Sequence, residues 1–236
     1  MGSFQNKLLI NACKEGNLEE VKTYIGLGND DYSKNEWILG TASSNGHLEV
    51  VKYLIEEAGA DVHTQNDEAL RYASLYGHLE VVKYLIEEAG ANVHANNDSS
   101  LRCASMDGHL KVVKYLVEEA GADVHADNDL ALQWASYNGH LKVVKYLVEE
   151  AGADIHAEND LALREASGNG QLEIIKYLLS RGANHQIYDN PHFQWFCNGS
   201  QYKIIKYLWE SGFSYFKEYP TLKGYLPVSP RKRFLL

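Results

Sequence analysis

The sequence predicts an all-α solenoid of about seven units with short return loops, and three observations carry that expectation. A phrase that reads Gly-His-Leu-x-Val-Val-Lys-Tyr-Leu begins at Gly46, Gly77, Gly108 and Gly139, always 31 residues apart, and a weaker copy begins one period later at Gly170. Each copy places an apolar stripe at helical spacing on either side of its glycine, so it reads as two helices joined by a turn. A unit of 31 residues is too small to bury its own apolar face, so the copies must stack.

The unit is read most easily between Asp67 and Asp98. Asp67 to Tyr76 reads as a short first helix, with Asp67 as its N-cap and Leu70, Ala73 and Ser74 on one face. Gly77 suits a left-handed turn. Leu79, Val81, Val82, Leu85 and Ile86 form the buried stripe of a second, longer helix, which Gly90 ends. Ala91 to Asp98 returns the chain to the next unit.

In chain order, residues 1–34 are a degenerate first unit, with Leu8, Leu9 and Ala12 as one stripe and Val21 and Ile25 as the other. Glu20 and Thr23 stand there in place of the later Val and Tyr, as expected of a terminal repeat that lacks one neighbour. Units at 35–65, 66–96, 97–127 and 128–158 follow the pattern closely. Unit six, 159–188, carries Gln171 for the histidine and Ile174-Ile175 for the valines. Unit seven, 189–216, puts Phe193 and Phe196 at the Leu and Ala positions. With Trp195, Trp209, Phe213, Tyr215 and Phe216 these aromatics are expected to close the stack, and Tyr219 to Leu226 to fold back across them; the alternative is an aromatic partner site. Residues 217–236 form a tail with three of the four prolines and the cluster Arg231-Lys232-Arg233.

The chain has 236 residues, 45% hydrophobic and 23% charged, which are globular values. Its net charge of -10 argues against binding nucleic acid, whose partners present clustered positive charge. No apolar run reaches the length of a membrane span, and the start shows no secretory pattern, so a cytoplasmic location is expected. Cys13, Cys103 and Cys197 are far apart and odd in number, which fits a reducing compartment and offers no metal spacing.

The repeated words resemble the ankyrin-repeat family. Leu70 matches the family's leucine, Ala73-Ser74 its alanine pair, Gly77-His78 its Gly-His, Val81-Val82 its valines, and Gly90-Ala91-Asn92-Val93-His94 its Gly-Ala-Asp-Val-Asn. The resemblance covers residues 1 to about 216. The wording VVKYLIEEAGADVH is similar to the large ankyrin sets of amoeba-infecting giant viruses. There are departures. The family's Thr-Pro start is replaced by Glu68-Ala69, Ser99-Ser100 and Leu130-Ala131, and its helix-one histidine by Arg71, Arg102, Gln133 and Arg164. The return segment is also shorter, so the family's hairpin fingers should be blunt here.

Comparison of the units with one another locates the variation. The second helix is nearly constant, whereas the first differs two residues after its Leu (Thr41, Tyr72, Cys103, Trp134, Glu165) and at the two residues before its Gly. The resemblance places these columns on the concave face or its rim, where partners of the family bind. The expected recognition set is Arg71, Tyr72, Leu75, Tyr76, Cys103, Met106, Asp107, Trp134, Tyr137, Asn138, Glu165 and Asn169, with Tyr72, Tyr76, Trp134 and Tyr137 on one strip. The competing reading is that the large residues fill gaps between neighbouring first helices.

Two histidine ladders, His47, His78, His109, His140 and His63, His94, His125, His156, invite a metal hypothesis. Zinc requires ligand nitrogens within about 4 Å of one another, whereas equivalent residues of stacked helices lie about 8–10 Å apart. Structural hydrogen bonding in the loops is the better reading, with a pH response as a secondary one. The pairs Glu56-Glu57, Glu87-Glu88, Glu118-Glu119 and Glu149-Glu150 read as solvated acidic surface or as a patch for a basic partner. Adjacent helical residues do not face each other, so the pairs are not a hydrolytic dyad.

No phosphate loop, Cys-x-x-Cys or nucleophile elbow is present. The expectation is therefore a monomeric, non-catalytic module that binds an unidentified protein through its concave face, without cofactor, metal, nucleic acid or membrane. Two alternatives stand beside it. One is a substrate adaptor for a host ubiquitin ligase: Leu226-Pro227 resembles the start of the C-terminal ligase-binding box of large-virus ankyrin arrays, but the nine residues after it are too few for that box's three helices. The other is a structural spacer, indifferent to changes on the variable face.

Overall fold

A computed structural model describes residues 2–27, 36–184, 203, 206–208 and 211. Among them are twelve helices and no strand, arranged as six successive pairs. The pairs are α1 (Gly2–Glu15) with α2 (Leu18–Gly26), α3 (Glu36–Ser44) with α4 (Leu48–Glu56), and α5 (Thr64–Leu75) with α6 (Leu79–Glu87). They continue with α7 (Ala95–Met106) and α8 (Leu110–Glu118), α9 (Ala126–Asn138) and α10 (Leu141–Glu149), and α11 (Ala157–Gly168) and α12 (Leu172–Ser180). The chain is thus an all-α helical repeat solenoid. The aromatic closure expected of unit seven, and the whole tail with Leu226-Pro227 and Cys197, lie outside the described residues. Within that unit Leu208 is buried, and Tyr207 packs against the core as its counterparts do.

One core runs through all six pairs. Leu70, Ala73, Val82 and Leu85 are fully buried, and so are their equivalents one period on, Leu101, Ala104, Val113 and Leu116. The small Ala and Ser residues on the first helices let those helices approach closely, because interaxial distance follows side-chain size. The second helices present Val and Tyr to one another and stand further apart, as the sparser approach of α4, α6, α8 and α10 shows. The stack therefore curves toward its first helices, whose outer side is the concave face.

The helix starts differ from expectation. Asp67 does not cap α5. Gln65, Asn66 and Asp67 all take left-handed backbone angles, φ 52, 56 and 57, and the same turn recurs at 96–98, 127–129 and 158–160. Asn and Asp tolerate this region better than other side chains, which accounts for the Asn-Asp pair in every turn. Regular helix begins at Glu68. Once the turn is set aside, the regular first helix of this unit, 68–75, is one residue shorter than the second, Leu79–Glu87, a smaller difference than the apolar stripes implied.

The Asp67 carboxylate is buried and turned toward the neighbouring return loop, where it accepts the Asn92 amide at 2.8 Å and faces His63 Nδ1 at 3.1 Å. Asp98, Asp129 and Asp160 repeat the contact with Asp123, Asp154 and Asn184. The residue two before each of these histidines accepts the histidine's own amide, at 3.0 Å from Asn92 Oδ1 and 2.9 Å from Asp123 Oδ1. Either side chain supplies the acceptor oxygen, so Asn92 departs from the repeat without structural consequence.

The other histidine ladder ties the turns between paired helices. His47 Nε2 donates to the Lys14 carbonyl at 2.9 Å and His78 Nε2 to the Ser44 carbonyl at 3.0 Å, one unit back. Gln171 replaces this histidine in unit six and donates from Nε2 to the Tyr137 carbonyl at 3.2 Å. The ring explains the glycine as well as the φ does. Gly77 has φ +76, and a Cβ there would sit 2.4 Å from His109 Nδ1.

A third ladder joins the second helices. Tyr84 donates its hydroxyl to Glu56 Oε1 at 2.9 Å, and Tyr115 to Glu87 at 2.9 Å. Lys52, Lys83, Lys114 and Lys145 lie over the rings of Tyr84, Tyr115, Tyr146 and Tyr177, at 5.6, 5.2, 4.7 and 5.6 Å. Burial, and then the neighbouring carboxylate, pushes the Tyr84 phenol up to about 12 and those of Tyr115, Tyr146 and Tyr177 in the same direction. The first glutamate of each pair is thus a partner within the stack and not part of a merely solvated surface, as the acidic ladder alone implied.

Candidate functional site

The first helices of units three to six present their outer side chains as a surface built on a rigid stack. Three of the large apolar side chains exposed among the described residues lie there, Tyr76 at 52%, Trp134 at 38% and Tyr137 at 41%; Trp37 on α3 and Leu27 after α2 are the others. On the second helices the tyrosines are covered, so the aromatics available to a partner lie on the concave side.

Two notches share the Trp134 indole. One, of about 260 Å³, is lined by Leu130, Gln133, Trp134, Tyr137, Leu161 and Glu165. The Trp134 and Tyr137 rings meet edge to face, with centroids 6.0 Å apart and planes at 68°, and form two of its walls. Gly168 occupies the column that holds Ser44, Leu75, Met106 and Tyr137 in earlier units, so unit six offers no side chain in that column. Gln133 contributes as well. It is only 6% exposed, and its Nε2 donates to the Asn128 carbonyl at 2.7 Å, which holds the side chain back against the turn.

The second notch, of about 280 Å³, is lined by Arg71, Asn96, Ser99, Arg102, Cys103, Met106 and Trp134. Its charges are engaged. Arg102 pairs with Asp127 and donates to the Asn96 carbonyl. Arg71 donates to Glu68 Oε1 at 2.9 Å and lies over the Tyr72 ring at 4.6 Å. Cys103 is half-buried, and desolvation raises its thiol pKa against the opposing pull of Arg71 and Arg102, which keeps it a poor nucleophile.

The expected recognition residues therefore divide. Trp134, Tyr137 and Glu165 converge on one notch, and Arg71, Cys103, Met106 and Trp134 on the other. Tyr72 is half-buried against α3, where a Cβ on Gly40 would meet its ring at 3.3 Å, so it fills a gap between helices. Tyr76, Asp107, Asn138 and Asn169 are exposed and Leu75 is half-buried, and all five lie outside both notches. Leu130, Leu161 and Gln133 were missed by the sequence reading. The signal for the two leucines was available: the column two before the Leu reads Trp37, Glu68, Ser99, Leu130 and Leu161 and is as variable as the columns of the recognition set, whereas Gln133 stands in the column of Arg71, Arg102 and Arg164.

Small-molecule sites enclose about 300–1,000 Å³ and bury most of their ligand. Each notch lies below that range and is open, which suits one side chain of a larger partner. Among the described residues no group of three or more His, Cys, Asp or Glu side chains is placed to hold a metal ion, and no helix is long and apolar enough to cross a membrane.

Comparison with known families finds a match to the model for ankyrin repeats (3 copies) over residues 9–97 and again over 91–159. Among curated proteins none matches the chain.

Proposed function

The chain belongs to the ankyrin-repeat family, and from that premise we propose that it is a non-catalytic module that binds a partner protein over Trp134 and Tyr137 on the concave face. Ankyrin repeats in general are protein–protein interaction modules. The observation that carries the reading here is the pairing of a nearly constant scaffold with a variable first helix that leaves two adjoining aromatics exposed at the shared wall of two notches. Aromatic side chains of this kind, once covered by a partner, supply most of the affinity in many interfaces.

The wording of the second helices supports a place among the expanded ankyrin proteins of giant viruses, and the isolated cysteines support the cytoplasm of a host cell as its location. A monomer fits a stack whose repeating faces are already covered by neighbouring units. The test is co-purification from the native cell with the wild type and Trp134→Ala/Tyr137→Ala side by side. Loss of a specific partner by the variant supports the reading. Equal recovery of the same partners with both proteins sinks it.

A further inference from the structure

The Trp134 notch carries more than an apolar surface. Five of its six lining residues are uncharged, and the sixth, Glu165, has no ion pair among the described residues. The nearest cation in sequence is engaged elsewhere: Arg164 donates to the Glu158 carbonyl at 2.7 Å, on the loop side. The notch therefore combines two aliphatic walls, Leu130 and Leu161, two aromatic walls set edge to face, and one uncompensated carboxylate. Across Trp134 the second notch offers no matching negative charge, and its arginines are already paired.

We infer that the notch takes a lysine or arginine side chain from an extended segment of the partner protein, with a large apolar residue beside it. The aliphatic stem of such a side chain packs on Leu130 and Leu161, its cationic head meets the Glu165 carboxylate, and the indole face of Trp134 attracts the charge. The neighbouring apolar residue crosses Trp134 and enters the second notch against Met106. The volume suits one long side chain, and the net charge of -10 favours approach of a basic segment over an acidic one. An acidic side chain would meet Glu165 unpaired, and a purely apolar one would leave the carboxylate desolvated without a partner. This inference rests on the reading of the concave face as a binding surface and specifies what binds there.

The experiment uses the full chain, immobilised and panned against phage-displayed random 12-residue peptides. The enriched peptides are synthesised and titrated against wild type, Glu165→Lys, Glu165→Gln and Trp134→Ala. The expected enrichment is Arg or Lys next to Leu, Met, Phe or Trp. Affinity should fall about 30-fold in Trp134→Ala and about tenfold in Glu165→Lys. Replacing the peptide's arginine by citrulline, which keeps the shape and removes the charge, should weaken binding to wild type but not to Glu165→Gln. Both residues are partly exposed and take part in none of the hydrogen-bond ladders, so the variants should melt close to the wild type; a variant that does not is replaced by Trp134→Phe or Glu165→Ser.

Enrichment of acidic or purely apolar peptides that still require Trp134 overturns the inference and leaves the binding face standing. Peptides that bind all variants equally overturn both. Failure to enrich any peptide above the Trp134→Ala control also overturns it, since the site would then not read a linear segment. A chain ending at Pro230 serves as a further arm. If only that chain binds the basic peptides, the occupant is the chain's own Arg231-Lys232-Arg233-Phe234 and not a partner's segment.

Discussion

Replacing Asp98 tests how the return loops are held together. Its carboxylate is buried, accepts the Asp123 amide at 2.9 Å and faces His94 Nδ1 at 3.0 Å, and its backbone is left-handed at φ 55. A hydrogen bond to a charged acceptor contributes about 1.5–3 kcal/mol when its partner is withdrawn from water. The His94 bond is worth less, about 0.5–1 kcal/mol, because that ring is more than half exposed. Alanine in a left-handed conformation costs about 1 kcal/mol more than asparagine or glycine. Asp98→Ala should therefore lose about 3–5 kcal/mol, a large part of the 5–15 kcal/mol typical of a domain. Asp98→Gly should recover about 1 kcal/mol of that. Asp98→Asn, which keeps an acceptor and tolerates the backbone, should lose about 1 kcal/mol, and His94→Ala less. Urea denaturation followed by circular dichroism measures the series. Because the loss falls between neighbouring loops, the transition of Asp98→Ala should also broaden or split. An Asp98→Ala variant within 1 kcal/mol of wild type, or a His94→Ala variant equally damaged, would refute the assignment.

Three further outcomes are expected. Ser74, Ser105 and Ser136 bury hydroxyls without a hydrogen-bond partner, so a triple Ser→Ala variant should gain roughly 0.5–1 kcal/mol per site; a lower melting temperature would contradict this. Tyr84 rises from about 10 unfolded to about 12 folded, so its contribution is complete below pH 10 and is lost as pH rises from 10 to 12; Tyr115, Tyr146 and Tyr177 are raised in the same direction, so theirs is likewise lost only in alkali. Tyrosinate absorbance should then appear together with unfolding, and titration of all tyrosines near pH 10 with the fold intact would count against the ladder. Deleting residues 98–128 joins Asn97 to Asp129 and leaves every ladder in register, so the shortened chain should stay helical and cooperative by calorimetry; a molten product would show that the units are not interchangeable.

The period, the two helices of each unit and the core residues were legible because the 31-residue step repeats nearly word for word, and Leu70, Ala73, Val82 and Leu85 can bury only one face of each helix. The role of Asp67 was not legible. A capping preference identifies an acceptor near a helix start, but it does not say which amide the carboxylate meets, and that amide belongs to a loop 25 residues away. Tyr84 escaped the apolar stripe because its ring is buried between units while its hydroxyl seeks a glutamate of the preceding unit. At the candidate site, the variable columns led to Trp134, Tyr137 and Glu165. They did not reveal that Tyr72 is absorbed by packing over Gly40, or that Leu130 and Leu161 complete the notch.

Hydrogen exchange on the complex with the partner captured from the native cell tests the binding face most directly. The account predicts slowed exchange in α9 and α11, centred on residues 133–138 and 161–169, with α6, α8 and α10 unchanged. Slowed exchange confined to the second helices, with α9 and α11 as in the free chain, would contradict it.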